Sequence, residues 1–313
     1  MQERNFYFQS RDGRTESHGM RWIPDGEVRA VVQICHGMSE YVGRYRNFAA
    51  FLAARGVLVV GHDHLGHGGS IEDRKDYGFF AEEEGNQILI RDIHRVYQYT
   101  KKDFPGVPYI LLGHSMGSFL ARQYLCSFGK ELDGAVLCGT GYYPYWLTRL
   151  GMMLAQGEAK LWGSHYRSRL LLWMTCGSYN AKFQPNRTNF DWISRDPAVV
   201  DAYATDPECG FPFTVNAYYN MFRGMSKIVR PVDLAQMPKE LPVLFAAGGR
   251  DPVGDFGRGV RKTEEIFRQA GMRHVKCILY PEDRHEILNE PDRRQVYEDI
   301  WEWMRQQVMQ DKL

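Results

Sequence analysis

A serine held between two glycines is the pattern in this chain that points most directly to chemistry. Residues 113–117 read G-H-S-M-G, with Ser115 at the centre. They follow the apolar run 109–112 and precede an amphipathic stretch at 119–128, which predicts a strand, a sharp turn and a helix. Such a turn exposes the serine Oγ, and glycines flank it because a Cβ there would clash. Ser115 is therefore a candidate nucleophile, although a serine that only caps the helix would fit the same string.

A serine hydroxyl becomes a good nucleophile only when an imidazole takes its proton and a carboxylate fixes the imidazole tautomer. Both residue types follow Ser115 in the order that a nucleophile on such a turn requires. A predicted strand at 241–247 leads into a loop with Asp251, and another at 275–280 leads into a loop with His285. We expect Asp251 to be the acid and His285 the base, with Asp283 and Asp255 as rival acids.

The same chemistry needs backbone amides that stabilise the oxyanion. One is expected from the residue after the nucleophile, which is Met116, and the other from the loop after an early strand. The apolar run 28–35 predicts that strand, and it opens into H-G-M-S-E at 36–40. The second donor is therefore expected to be the amide of Met38, and Gly37 allows the backbone to turn inward.

Several further segments resemble one known family. They are H-G-M-S-E at 36–40 with G-R-Y at 43–45, D-H-L-G-H-G-G-S at 63–70, the 113–117 turn, and R-H-E-I-L-N-E at 284–290. The chain thus resembles the monoacylglycerol lipase and lysophospholipase branch of the α/β-hydrolases. The resemblance implies the same roles for Ser115, Asp251 and His285, and for the amides of Met38 and Met116. It spans nearly the whole chain, and its departures fall mostly in the region between about 142 and 238.

The spacing of apolar runs predicts the fold class. After an opening hairpin, predicted strands alternate with helices up to 134–138, which indicates α/β architecture with a mainly parallel central sheet flanked by helices. The alternation breaks after residue 141 and resumes with the strand at 241–247. We therefore expect an α/β-hydrolase core formed by 1–141 and 239–313, with a mostly helical lid inserted at 142–238.

The expected lid is rich in aromatic and apolar side chains that could line a channel for an acyl chain. They include Tyr142, Tyr143, Tyr145, Trp146, Leu150, Met152, Met153, Leu172 and Trp173. The same region holds carboxylates that an aminopeptidase of the proline iminopeptidase kind would use to bind a free amino group: Asp191, Asp196, Asp201, Asp206 and Glu208. An α/β-hydrolase that only binds a ligand is a third interpretation.

Composition excludes several other classes. A net charge of +1 without a basic stripe argues against nucleic-acid binding. The six cysteines show no C-x-x-C spacing, which favours a reducing cytoplasm over a disulfide framework or a zinc site. His62, His64 and His67 suggest a metal site, but the only carboxylate or cysteine with suitable spacing is Asp63, which would point the other way if the strand continues. The polar residues 1–5 predict no secretory signal peptide, and no apolar run is long enough to span a bilayer.

The sequence therefore predicts a cytoplasmic serine esterase. Its expected substrate is a small-molecule lipid ester, a glycerolipid with a single acyl chain, cleaved through an acyl-Ser115 intermediate. The reaction needs neither a cofactor nor a metal, and transient contact of the lid with a membrane surface is expected. The sequence leaves open whether the head group is that of a monoacylglycerol or of a lysophospholipid.

Overall fold

The chain is built on one sheet, and a computed structural model describes residues 1–309. The described residues form eight strands: β1 (Gln2–Gln9), β2 (Glu16–Ile23), β3 (Ala30–Cys35), β4 (Val57–His62), β5 (Tyr109–His114), β6 (Gly134–Cys138), β7 (Val243–Gly248) and β8 (Val275–Tyr280). Their order in the sheet is β1-β2-β4-β3-β5-β6-β7-β8. β1 and β2 pair antiparallel, as do β2 and β4, and every later pair is parallel.

Helices fill the connections between the parallel strands. They are α1 (Arg46–Ala53), α2 (Gly85–Asp103), α3 (Met116–Phe128), α4 (Tyr145–Trp162), α5 (Arg169–Cys176), α6 (Pro197–Thr205), α7 (Val215–Lys227), α8 (Pro231–Leu234), α9 (Arg258–Gln269) and α10 (Arg293–Gln307). Five of them, α4 to α8, lie between β6 and β7. We call residues 142–238 the helical insertion.

The parallel strands β3 to β7 are buried on both faces, because helices cover each side of the sheet, whereas the edge strand β8 is partly exposed. On β3, Val32 and Ile34 belong to a cluster with apolar side chains of α1 and α10. Val31 belongs to a second cluster, which includes side chains of α2, α3 and α9. Successive side chains of a strand point to opposite faces, so an unbroken apolar run serves both layers. The carboxyl ends of these strands carry the loops with the candidate site residues.

The sequence predictions of the fold are confirmed with small shifts at the ends of elements. The opening hairpin and the mainly parallel sheet are present, and the strands expected at 57–62, 134–138 and 275–280 have these bounds. The strand expected at 109–112 continues to His114, because Gly113 and His114 still pair with β6. No helix within residues 1–309 combines the length and apolar composition needed to cross a membrane.

Candidate active site

Ser115 lies in the tight turn that joins β5 to α3. Its backbone has φ 54° and ψ −121°, a region that side chains rarely adopt. The turn is held because the amide of Ser115 donates to the carbonyl of Cys138 at 3.0 Å. A Cβ on Gly117 would lie 2.0 Å from the carbonyl oxygen of Cys35, so only glycine lets α3 approach β3 this closely. The structure therefore has the strained strand-turn-helix geometry that the motif predicts.

His285 and Asp251 meet in the loops that follow β8 and β7. His285 Nδ1 and Asp251 Oδ2 are 2.9 Å apart, and both side chains are buried. The second oxygen of Asp251 accepts the amide of Val253 at 2.9 Å. Since Nδ1 is paired with a carboxylate, Nε2 is the ring nitrogen left to exchange a proton.

The two rival acids have other partners. Asp283 is 2.6 Å from the guanidinium of Arg195, and exposed Asp255 pairs with Arg258 at 2.7 Å. Burial, with the nearby charge of Glu290, raises the pKa of Asp283 to about 7. Asp251 is thus the carboxylate that the structure brings to His285.

A cavity of about 680 Å³ joins the candidate site residues. Ser115, His285, Met38 and Met116 all line it. Most of the remaining lining is apolar and includes Phe119, Leu147, Leu172, Trp173, Met221, Phe222 and Met225. A largely apolar cavity is therefore lined by a serine, an imidazole and the two residues predicted to supply amide donors.

The two amides differ in how they are placed. Met116 is the first residue of α3, and the N–H groups of a first helical turn have no acceptor within their own helix. Met38 lies in the loop after β3, where the preceding amide of Gly37 donates to Glu40 Oε1 at 2.5 Å. The loop is therefore held by a carboxylate that binds the amide next to that of Met38.

Glu40 connects this loop to the strand that carries the nucleophile. Its Oε1 also accepts the hydroxyl of Tyr45 at 2.9 Å and lies 3.2 Å from His114 Nδ1. The other ring nitrogen of His114 is 3.3 Å from the carbonyl oxygen of His285. Burial opposes protonation of His114, but the hydrogen bond and charge of Glu40 raise its pKa. A protonated His114 can donate to both acceptors at once and so links β5 to the loop of Glu40 and to the loop of His285.

Arg44 extends the network to the residue after His285. Its guanidinium binds Glu286 through two hydrogen bonds of 2.6 and 2.8 Å and reaches Glu40 Oε2 at 2.8 Å. Burial disfavours ionisation of Glu40, yet the hydrogen bond from His114 and the charge of Arg44 hold its pKa below the usual range. No local pattern predicts this network, because Arg44 and Glu286 are 242 positions apart. Its sequence signal was the resemblance at 36–45 and at 284–290, which together contain its charged residues.

The helical insertion also contacts the loop that carries Met38. The carbonyl of Ser39 accepts the amide of Gly210 at 3.0 Å and the hydroxyl of Tyr203 at 2.9 Å. The hydroxyl of Ser39 donates to the carbonyl of Phe211 at 2.7 Å. The segment around 209–213, which fits no pattern in the sequence analysis, thus braces the predicted oxyanion loop.

The nine aromatic and apolar residues that were expected to line a channel divide into two groups. Tyr143, Leu172 and Trp173 line the cavity, as expected. Six others expected there lie outside its lining: Tyr142, Tyr145, Trp146, Leu150, Met152 and Met153. Trp192 was not among the expected lining residues, yet its ring lies 5.0 Å from that of His285. A helix has an inner and an outer face, and periodicity does not reveal which face meets the cavity.

The histidines at 62, 64 and 67 are buried together with His36. The rings of His36 and His64 are 4.3 Å apart, and those of His62 and His64 are 5.0 Å apart. Burial lowers the pKa of His62 and of His67 to about 3, so these rings are neutral. Among residues 1–309, no group of three or more potential ligands is arranged to hold a metal ion.

Four of the five insertion carboxylates considered for amine binding have other partners. Asp191 accepts the amides of Arg187 and Thr188, and Asp196 caps α6. Asp201 pairs with Arg187, and Asp206 accepts the hydroxyl of Tyr41. None of the five expected carboxylates is among the residues that line the cavity. The aminopeptidase alternative is therefore not favoured.

Comparison with known proteins agrees with this geometry. Residues 26–292 match the family Hydrolase_4, described as "Serine aminopeptidase, S33". The human "Monoglyceride lipase" is 38% identical over 284 residues, which cover 86% of this chain and 83% of that protein. The "Monoacylglycerol lipase" of Mycolicibacterium smegmatis is 26% identical over 289 residues, 90% of each chain.

Among solved structures, a thermostable carboxyl esterase from Bacillus coagulans in complex with glycerol superposes with a TM-score of 0.91. It is 30% identical, and the match covers 98% of this chain and 99% of that one. The fold and the family thus agree over nearly the whole length. The chain belongs to the serine aminopeptidase S33 family, has the α/β-hydrolase fold and is a serine hydrolase similar to monoacylglycerol lipases.

Proposed function

We propose that this chain hydrolyses glycerolipid esters with a single acyl chain, monoacylglycerols foremost, through an acyl-Ser115 intermediate. One observation carries the proposal: Ser115 and His285, whose Nδ1 is bound to Asp251, line the same largely apolar cavity. The similarity to proteins named as monoacylglycerol lipases supports the choice of ester. A lysophospholipid would present the same reacting bond, and a probable lysophospholipase L2 of Haemophilus influenzae is 22% identical over 293 residues.

The first half of the reaction transfers the acyl group to the protein. Ser115 Oγ attacks the ester carbonyl carbon while His285 Nε2 takes the hydroxyl proton. The amides of Met38 and Met116 donate to the oxygen that becomes negatively charged. Asp251 stabilises the imidazolium through the bond to Nδ1. Collapse of the tetrahedral intermediate breaks the bond to glycerol, whose oxygen receives the proton from Nε2.

The second half uses water in place of the alcohol. His285 removes a proton from water, the hydroxide attacks the acyl-Ser115 carbonyl, and the released fatty acid leaves Ser115 protonated again. Every proton and electron pair in this cycle is supplied by the three side chains, the substrate and water. The proposed chemistry therefore requires no cofactor or metal.

The cavity supports an acyl chain rather than a polar substrate. Phe119, Leu147, Phe222 and Met225 face this space, and each methylene moved from water into apolar surroundings gains about 0.8 kcal/mol. The helical insertion supplies many of these side chains, so we propose that residues 142–238 act as a lid on a core of 1–141 and 239–313. We also propose that this lid contacts a membrane surface and that the protein is cytoplasmic. The six free thiols support a cytoplasmic location.

The test is hydrolysis of a substrate panel by the purified full chain. It compares monoacylglycerol, lysophosphatidylcholine, triacylglycerol and an aminoacyl amide, each dispersed in the same detergent, with Ser115→Ala as the matched control. We expect release of fatty acid from monoacylglycerol by the wild type and loss of that release in the variant. Preference for lysophosphatidylcholine would mean that the substrate is a lysophospholipid and not a monoacylglycerol. Cleavage of the amide alone would overturn the esterase proposal.

A further inference from the structure

A tryptophan of the helical insertion lies against the imidazole of the proposed catalytic base. The ring centres of Trp192 and His285 are 5.0 Å apart, and the planes of the two rings are inclined by 40°. Both residues line the cavity. The proposed cycle of proton transfers makes no use of Trp192, so its place beside His285 has a reason outside that cycle.

Trp192 is held in this place from several sides. Its amide donates to Asn180 Oδ1 at 2.9 Å, and its ring makes an edge contact with the ring of Tyr179 at 4.8 Å. The carbonyl of the next residue, Ile193, accepts the amide of Glu286 at 2.7 Å. The backbone that carries Trp192 is thus hydrogen-bonded to the residue directly after the catalytic histidine. The contact between the two rings is therefore built into the fold.

Two charged neighbours act on His285 in opposite directions. Asp251 binds Nδ1 and favours a positive charge on the ring. The ring of His114 lies 4.7 Å from that of His285. A protonated His114, which the carboxylate of Glu40 favours, opposes a second positive charge beside it. The imidazolium that forms on His285 during the reaction therefore has an unfavourable neighbour as well as a favourable one.

Further charged groups lie on the segments around His285, and they are Arg44 after β3, Arg195 of the insertion, and Asp283, Arg284 and Glu286 on the loop of His285 itself. Arg44 pairs with Glu286, Arg195 pairs with Asp283, and Arg284 donates to backbone carbonyls of the insertion. The phenols of Tyr143 and Tyr179 also line the cavity, and burial raises the pKa of both, that of Tyr143 to about 12. Since these charges are paired and these phenols are neutral, Asp251, His114 and the indole of Trp192 act most directly on His285.

An aromatic face can offset the effect of a positive neighbour. It carries partial negative charge and attracts a cation that lies within about 6 Å of the ring centre, and indole does so most strongly among the side chains. The separation of 5.0 Å between Trp192 and His285 lies within this range. The attraction acts on the charged imidazolium far more than on the neutral imidazole. The contact therefore favours the protonated form of the ring.

From this geometry we infer that Trp192 is a positioning residue that stabilises the imidazolium form of His285 through the face of its indole ring. The inference rests on the proposed function, because it takes His285 as the base of the acyl transfer. The imidazolium forms in both halves of the reaction, when the hydroxyl of Ser115 and then water give up a proton. The contact should therefore raise kcat by about two- to fivefold.

The same indole also keeps water away from His285, and this effect has the opposite sign. Exclusion of water disfavours a charged ring, whereas attraction by the aromatic face favours it. If the attraction dominates, Trp192→Leu makes the imidazolium less stable, and the base form persists to lower pH. If exclusion of water dominates, the smaller leucine admits water, and the base form is lost at higher pH. The direction of the shift therefore distinguishes the two effects.

The pH profile of kcat/KM for a soluble short-chain ester tests the inference with the full chain. We expect the acid limb to move to lower pH by about 0.4 to 0.7 units in Trp192→Leu and by less in Trp192→Phe. The matched control Trp146→Leu makes the same replacement in the insertion outside the cavity lining and should leave the limb in place. An unmoved limb in Trp192→Leu, a shift to higher pH, or an equal shift in the control would overturn the inference.

Fluorinated tryptophans separate the charge of the ring face from its shape. Added fluorine atoms weaken the negative charge of the face and change the volume of the ring little. Site-specific incorporation at position 192 should therefore move the acid limb to lower pH in steps, as the number of fluorine atoms increases. A limb that is indifferent to fluorine would show that Trp192 only fills space, and this result would also overturn the inference.

NMR of the ¹³C-labelled histidine rings keeps the inference distinguishable from the proposed function, because it needs no turnover. The Cε1 resonance of His285, assigned by its loss in His285→Gln, is followed against pH in the wild type and in Trp192→Leu. If its midpoint moves to lower pH in the variant but the wild type releases no fatty acid, the proposed function fails alone. If the wild type is active and neither the resonance nor the acid limb moves, the inference fails alone.

Discussion

Charged and apolar side chains are buried differently in two regions of the molecule. One region is the set of loops at the carboxyl ends of the strands, and the other is the outer face of the insertion, formed by exposed apolar residues such as Trp146, Leu150 and Met153. Around the candidate site, charged side chains are buried and paired: Glu40, Arg44 and Glu286 form one network with His114. On the outer face, apolar side chains such as Trp146 are exposed, and cations such as Arg149 have no partner among the described residues.

The contrast separates the parts of the molecule that must be rigid from those that must meet a substrate. Buried ion pairs with several hydrogen bonds hold groups in one geometry, which a preorganised oxyanion site needs. A large exposed apolar surface promotes aggregation unless a partner or ligand covers it. The buried ion pairs at the end of the sheet are therefore suited to holding a reaction site in one geometry. The exposed apolar side chains of the insertion are suited to admitting an apolar substrate.

The largest effect is expected from the acid that holds His285. Asp251→Asn should lower kcat by about 10⁴-fold, because the imidazole would then be held in the wrong tautomer. The matched control is Asp283→Asn, which removes the charge of the rival acid on the loop of His285 and should leave kcat within about tenfold. Steady-state hydrolysis of a short-chain ester measures both. Equal losses in the two variants would contradict the assignment of Asp251.

Stability should differ between the two regions for equal truncations. Ile34→Ala on β3 is expected to lower the free energy of unfolding by about 2–5 kcal/mol, because Ile34 is fully buried in the core. Met153→Ala on the outer face should change it by less than about 0.5 kcal/mol. Urea unfolding followed by circular dichroism gives both values. A comparable cost for Met153 would mean that the outer face is packed in solution.

Glu40 is expected to act by positioning other groups. Glu40→Gln should lower kcat by about 10- to 100-fold with little change in KM, because the loop that carries the Met38 amide loses its charged anchor. A purely structural effect would lower the melting temperature and the active fraction without lowering kcat per active site. Active-site titration separates the two, and an unchanged kcat in the folded variant would exclude a positioning role.

Substitutions on the two faces of α4 should show which face sets the chain-length preference. Leu147→Trp fills part of the cavity and is expected to lower kcat/KM for a long-chain monoacylglycerol about tenfold more than for a short-chain ester, the equivalent of two methylenes. The control Leu150→Trp lies on the outer face and should leave this ratio unchanged in detergent. Identical ratios in the two variants would contradict the assigned path of the acyl chain.

The smallest effect concerns pH. Burial raises the pKa of Asp283 to about 7, so the folded chain holds a proton that the unfolded chain releases near pH 4. The contribution of this group to stability therefore falls as the pH rises from about 4 to about 7. Between mildly acid and mildly alkaline buffer, this group should lower the free energy of unfolding of the wild type by on the order of 1 kcal/mol. The variant Asp283→Asn should lack this decrease. The exposed Asp255→Asn should behave like the wild type.

The sequence predicted the candidate catalytic residues better than the residues that surround them. Asp251 and His285 follow strands that are visible as apolar runs, so their meeting at one edge of the sheet could be expected. The pairing of Arg44 with Glu286 could not, because nothing local marks two charges that meet across 242 positions. The two faces of α4 were equally hidden, since both are apolar and periodicity alone does not tell an inner stripe from an outer one.

Covalent labelling can identify the nucleophile of the acyl transfer, a role that we assign to Ser115. The folded full chain is treated with a fluorophosphonate, and the adduct is located by peptide mass spectrometry. We expect one adduct, on Ser115, that is absent in Ser115→Ala and forms far more slowly in Asp251→Asn. An adduct on another residue, or no adduct in protein that is shown to be folded, would mean that Ser115 is not the nucleophile.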